Sequence, residues 1–182
     1  TSRDSNLALI DYAQTLLEKA GARCRRSYNA EGSKANLFAT IGPDGDGGFV
    51  LSGHTDVVPV DGQVWSSEPF KPQVRDGKLY GRGACDMKGF VGTALALVPD
   101  IAKAKLKRPI HFALSYDEEV GCVGVKGLLE DLKAHAIKPD LAIIGEPTLM
   151  ALVGAHKGGA KLVTRCCGKE HHSSAPHKGA NA

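Results

Sequence analysis

The sequence predicts an α/β fold, a mainly parallel mixed sheet flanked by helices. Three stretches carry that expectation: Phe49 to His54, Pro109 to Tyr116 and Leu141 to Gly145. Each is a short apolar run of the kind that parallel sheets bury on both faces. Between them, Met87 to Ala104 and Val123 to His135 are rich in helix formers. Strands and helices therefore alternate, which implies parallel neighbours joined by right-handed crossovers. Every one of the three runs also ends in charge: His54 and Asp56, then Asp117-Glu118-Glu119, then Glu146. The carboxyl ends of strands are where open α/β sheets place their ligands.

Taken in order, Asn6 to Ala20 reads as the first helix, with Leu9, Ala13, Leu16 and Ala20 at helical spacing and Gly21 as the stop. Ala22 to Tyr28 and Ala35 to Ile41 read as strands, and Gly42 to Gly48 as a turn with two Asp-Gly pairs. Pro59 to Pro72 is a loop holding Trp65, and Gln73 to Tyr80 a hairpin around Asp76-Gly77. Asp86 stands where the helix from Met87 begins, a place that favours an acid. After Glu146-Pro147-Thr148 the alternation stops. Leu149 to Ala155 and Lys161 to Cys167 read as two further strands, and Pro176 to Ala182 as the approach to a helix. The expected division is one α/β domain over 1–157 and the beginning of a second domain over 158–182, which so few residues cannot complete. A start at Thr1 fits a trimmed chain.

With 182 residues, 42% of them hydrophobic, the chain can bury a sizeable core. Its net charge of +3 is small, and its one basic cluster, Lys103 to Arg108, reads as the solvated end of a helix, so no nucleic-acid partner is expected. No apolar run approaches the roughly 20 residues a bilayer span needs, and the amino terminus has no signal-peptide pattern; no membrane partner is expected. Five cysteines, an odd number without zinc-ribbon spacing, suit a reducing cytoplasm better than a disulfide framework.

Strand side chains alternate faces, so His54 and Asp56 point to one side as their strand ends. Taken singly, each candidate has a plain structural reading: His54 with Asp56 a hydrogen-bonded pair, Asp86 a helix cap, Glu118 and Glu119 a solvated loop, Glu146 part of a turn. Taken together they do not, because adjacent acids after buried strands repel one another and a cation relieves that repulsion. Imidazole and oxygen donors without thiolate suit zinc, and also cobalt or manganese. More carboxylates than one ion needs point to two divalent ions. Cys85, lacking a partner cysteine, reads as packing. Gly81 to Gly89 matches no phosphate-loop spacing, so no nucleotide cofactor is expected.

Five stretches resemble the metallopeptidase family that includes acetylornithine deacetylases, succinyl-diaminopimelate desuccinylases, aminoacylases and glutamate carboxypeptidases. They are Ser52 to Pro59, Leu79 to Gly89, Asp117-Glu118-Glu119, Gly145-Glu146-Pro147-Thr148 and His172-Ser173-Ser174-Ala175-Pro176. They occur in the family's order. Ala155-His156-Lys157-Gly158 looks most like the deacetylase branch. The resemblance implies a zinc aminopeptidase-like, metal-binding catalytic domain followed by a smaller α+β lid and dimerisation domain, apparently truncated. It also implies site roles. His54 and Glu146 bind one metal, Glu119 the other, and Asp86 bridges them across a cis peptide bond to Met87. Asp56 orients His54, and Glu118 is the general base. His172 polarises the scissile carbonyl of the opposite subunit in a homodimer. One further metal-binding histidine of the family belongs to a later segment. The implied reaction is removal of the acetyl group from N2-acetyl-L-ornithine, an N-acyl amino acid, in arginine biosynthesis; desuccinylase, aminoacylase and dipeptidase chemistry would use the same metal residues. A non-catalytic metal-binding module is the alternative of another class, and the presence of Glu118 weighs against it.

Overall fold

Helix α1, Leu7–Lys19, buries Ile10, Ala13 and Leu17, a stripe that leaves Leu9 and Leu16 half-buried at its margins. It lies against a five-stranded sheet built from β1 (Arg23–Tyr28), β2 (Ala35–Ile41), β3 (Phe49–His54), β6 (Ile110–Ser115) and β7 (Leu141–Ile144), in the order β1-β2-β6-β3-β7. A separate hairpin, β4 (Gln73–Arg75) and β5 (Lys78–Tyr80), turns at Asp76-Gly77. The computed structural model describes residues 1–155, 157–160 and 162–181.

The sheet is mixed, for a reason visible in the chain. β1 and β2 are joined by a short turn and pair antiparallel, and β2 pairs antiparallel with β6. β3, β6 and β7 are separated by helices, so they pair parallel. Each residue of β2 is buried, because helices cover both faces. On one face Leu37, Ala39, Phe112 and Leu114 meet α1 together with Val91, Ala94 and Leu95 of helix α2 (Lys88–Ala96). On the other, Phe38, Val50 and Ala113 meet Leu128 of helix α4 (Val125–Ala134). Phe112 is wholly buried, and its truncation to alanine would remove about 3–5 kcal/mol.

Three expectations change. The helix expected over Met87 to Ala104 is two: α2, and α3 over Val98–Lys103. Pro99 stands in the first turn of α3, where it has no N–H to continue the ladder of α2. Asp86 does not cap α2; the N-cap residue is Met87, with no side-chain cap bond, and the Asp86 carboxylate faces His54 instead. Leu149 to Ala155 and Lys161 to Cys167 form no strands among the described residues. Leu149 and Met150 have φ of 52° and 64°, which breaks an extended run at its start. The expectations at His156 and Lys161 lie outside the described residues.

Two compact units result, Thr1–Leu149 and Met150–Ala182. The second carries one isolated antiparallel bridge, Lys169 to Ala180, and a 3-10 turn over Pro176–Lys178. Among the described residues, no helix is long and apolar enough to cross a membrane.

A buried histidine marks the α4 side of the sheet. His111 lies opposite Thr40 in the β2–β6 ladder, bonds its hydroxyl at 2.9 Å, and stacks on Phe38. Burial pushes its imidazole below the usual 6.5. The unfolded chain therefore takes up a proton that the folded chain refuses, and the stability His111 contributes is complete above about pH 6.5 and is lost as pH falls below it. His111→Gln should flatten the fall in stability from about pH 7 to about pH 5, by at most about 1.4 kcal/mol per pH unit, read from urea midpoints.

Candidate metal centre

β3, β6 and β7 are in step: Phe49 lies opposite both Ile110 and Leu141, and His54 lies opposite Ser115. Strands that end together deliver the residues after them to one edge. Hence His54, Glu118 with Glu119, and Glu146 meet there, while Asp86 arrives from the loop before α2. Close helix approach completes the arrangement. A Cβ on Gly53 would meet Val91 at 3.0 Å and Met87 at 3.1 Å, and one on Gly145 would overlap the ring of Phe90. At Gly145 only glycine lets the first turn of α2 close on the strand end, and at Gly53 a side chain would have to push Val91 and Met87 aside.

His54 is 2% exposed and sits at the centre. Its Nε2 is 3.0 Å from Asp86 Oδ1, 3.7 Å from Glu146 Oε1 and 3.9 Å from Glu118 Oε2. One donor atom each from His54, Asp86 and Glu119 lies within 4.8 Å of the others. The peptide bond between Asp86 and Met87 is cis. Behind the ring, Nδ1 is 3.0 Å from the Asp56 carbonyl oxygen and 3.5 Å from its carboxylate. A carbonyl only accepts, so Nδ1 carries a proton whether the ring is neutral or cationic, and Nε2, turned toward the carboxylates, is the atom that would take a cation in exchange for its own proton. The Asp56 carboxylate also accepts the backbone N–H groups of Glu118 at 3.1 Å and Glu119 at 3.2 Å.

The electrostatics fit a cation. Burial raises Glu119 and Glu146 above their ordinary values, and the neighbouring charge of Asp86 raises them further. Burial would do the same to Asp56, but the bonds from His54 and from the two N–H groups hold it below its ordinary value. For His54 burial works downwards and is outweighed by Asp56 and Asp86, which hold the imidazole at about 9. The site gathers negative charge it does not neutralise, with one imidazole and several carboxylates as donors, a set suited to a divalent cation. A cleft of about 580 Å³ opens beside Gly83 and Ala84, but none of these carboxylates lines it; the site is identified by its donors, not by a cavity.

Six of the seven expected residues thus gather around His54: itself, Asp56, Asp86, Glu118, Glu119 and Glu146. The seventh, His172, belongs to the second unit, where its Nδ1 is 2.8 Å from the Ser174 hydroxyl. Cys85 is exposed and free, like the other four cysteines in being unpaired. Sequence reasoning missed three contacts. The sulfur of Met87 accepts the His54 N–H at 3.3 Å, the Cys122 thiol donates to Glu118 at 3.4 Å, and Lys34 pairs with Asp117 at 2.6 Å. Cys122, four residues downstream of Glu118, had a local signal in the turn at Gly121; Lys34 had none.

Fold and donors together define an α/β protein with a carboxylate-rich candidate metal centre. A profile of peptidase family M20/M25/M40 matches residues 50–174, and the chain belongs to that family. It is 42% identical over 180 residues to acetylornithine deacetylase of Pasteurella multocida, covering 98% of this chain and 46% of that protein. With acetylornithine deacetylase of Shigella sonnei it shares 44% over 150 residues, covering 82% of this chain and 38% of that one. The chain thus spans about half, or less, of the length of these relatives. Among solved structures, human carnosine dipeptidase 1 superposes with a TM-score of 0.65 at 30% identity, over 75% of this chain and 32% of that one.

Asp56→Asn should test the anchor behind the ring. An amide keeps one acceptor but turns a donor toward the second N–H, so zinc affinity should fall by about 10–100-fold, measured by chelator competition. Unchanged affinity would show that the carboxylate does not organise the donors.

Proposed function

We propose that the whole protein is a metal-dependent amidohydrolase that removes the acetyl group from N2-acetyl-L-ornithine, yielding ornithine and acetate in arginine biosynthesis. The observation that carries the hydrolytic reading is the convergence of His54, Asp86 and Glu119 within 4.8 Å with Glu118 beside them. Support for the substrate comes from the two relatives named acetylornithine deacetylase. In this reading residues 1–157 are the N-terminal part of the catalytic domain, and 158–182 begin a lid through which the protein forms a cytoplasmic homodimer.

His54, Asp86, Glu119 and Glu146 would hold two divalent ions, zinc in the first instance, with cobalt or manganese as substitutes. Bound there, such ions would polarise the amide carbonyl and lower the pKa of water. The chain's own residues do the rest. Asp56 holds His54 with Nε2 forward. Glu118, with one oxygen toward the site and the other receiving the Cys122 thiol, takes a proton from the attacking water and passes it to the departing amine. His172 is assigned to the carbonyl of the opposite subunit.

Dipeptidase chemistry is the second reading, favoured by the likeness to carnosine dipeptidase. The full-length protein assayed against acetylornithine, succinyl-diaminopimelate and a dipeptide separates these readings; weak turnover of acetylornithine beside strong turnover of either other substrate removes the specific assignment.

The two adjacent acids should separate cleanly. Glu118→Ala should cost at least about 10²–10⁴-fold in kcat with metal content nearly intact, while Glu119→Ala should lose metal. Metal analysis beside kinetics reads both, and the reverse pattern would exchange their roles.

A further inference from the structure

Lys34 lies in the turn between β1 and β2, 83 residues before the acid it meets. Its ammonium donates to Asp117 Oδ1 at 2.6 Å and to the Ser2 carbonyl at 2.7 Å. The two side chains of the ion pair are 14% and 16% exposed. Surface pairs are far wetter: Arg108 and Asp140 are 63% and 52% exposed, Arg23 and Asp44 53% and 93%, and the Arg25–Asp131 pair comes nearer at 32% and 18%. Exposed pairs of that kind contribute little, whereas removing one partner of a shielded pair leaves the other charge poorly solvated.

Asp117 is also where the backbone does something a non-glycine residue resists. Its φ is 53°, in the left-handed region. That turn directs the next two residues, Glu118 and Glu119, toward His54. Their N–H groups rest on the Asp56 carboxylate, and the chain then folds back, with Val123 N–H on the Asp117 carbonyl and Cys122 N–H on that of Glu118. The two acids are therefore held from below by Asp56 and from the preceding residue by Lys34. A second route joins the same points. Ser2 N–H bonds the Val57 carbonyl, immediately after Asp56, and the Ser2 carbonyl receives Lys34. Lys34 thus ties the segment after Asp56 to the residue that precedes Glu118.

We propose that Lys34 is a positioning residue for Glu118 and Glu119: by holding the Asp117 carboxylate it keeps the turn that presents both, while itself touching neither metal nor substrate. The role rests on the proposed functions of those two acids as base and metal ligand. It predicts a loss in metal binding and in kcat, whereas a lysine that merely clamped the amino-terminal segment would affect stability alone.

The test uses the full-length protein with zinc as probe. Lys34→Met keeps the stem and removes the charge; zinc affinity by chelator competition should fall about 10–100-fold, and kcat should fall with KM little changed. Lys34→Arg should recover most of that loss. Asp117→Asn, which still tolerates the left-handed turn, should show the same loss, and the double variant should be no worse than either single one. If Lys34→Met does not fold, Asp117→Asn carries the test from the other end of the pair. Zinc affinity and kcat within about twofold of the parent protein in the folded variants, whatever their melting temperatures, would overturn the role; losses on removing such partners begin at about tenfold. A parent protein that binds zinc but turns over no acyl amino acid would overturn the proposed reaction and leave the affinity comparison to decide the role of Lys34. A parent protein that binds no divalent ion would overturn both.

Discussion

The carboxylate of Asp56 is the constraint on which the site depends. It is 4% exposed, beside a histidine that is 2% exposed, and its two oxygens accept from three groups or stand close to them: the His54 imidazole and the backbone N–H groups of Glu118 and Glu119. Donors that converge on one carboxylate keep it ionised despite its burial. In return it keeps the imidazole and the two acids in one frame. Since Asp56 comes just after β3 and the acids just after β6, that one side chain couples the ends of neighbouring strands.

The sheet makes that coupling possible because its parallel part is in register. With His54 opposite Ser115 and Ser52 opposite Ile144, the chain leaves all three strands near one level. A one-residue slip would turn every side chain of a strand to the other face and carry its donor away. Burial secures the register of β6 and much of β3, with α1 and α2 over one side and α4 over the other, whereas β7, expected to be buried on both faces, is exposed along its length and is held in step by its ladder to β3. Gly145 adds a steric requirement, since the Phe90 ring in the first turn of α2 leaves no room for a Cβ there, and Gly53 a milder one, where a Cβ would press on Val91 and Met87.

A cluster of this kind costs stability. Several acids share a half-buried volume, and two of them, Glu119 and Glu146, are raised by burial and by the neighbouring charges of Asp86 and Glu118. The surrounding bonds to Asp56, Met87 and Lys34 hold the groups in place against that repulsion. A bound cation would turn the same repulsion into binding energy, so the arrangement favours metal through what it lacks without it.

The strands that carry the site were legible in the sequence: Ile110–Ser115 and Leu141–Ile144 coincide with their apolar runs, and β3 ends at the expected His54. The six candidate residues that converge on His54 could be picked out in the sequence too, because their chemistry stands at strand ends or at a helix start. Local signals failed where the cause was distant or lay in a single backbone angle. Pro99 divided a helix, two positive φ values ended the extended reading after Thr148, and Asp86 gave up a cap for a histidine 32 residues away. The sequence by itself determined which side chains end each strand, since a period of two and apolar runs are local properties of the chain. Tertiary structure alone decided that Asp56 carries the backbone of Glu118 and Glu119 and that Lys34 holds Asp117. Those contacts join residues 62 to 83 positions apart, and only the folded sheet brings them within bonding distance.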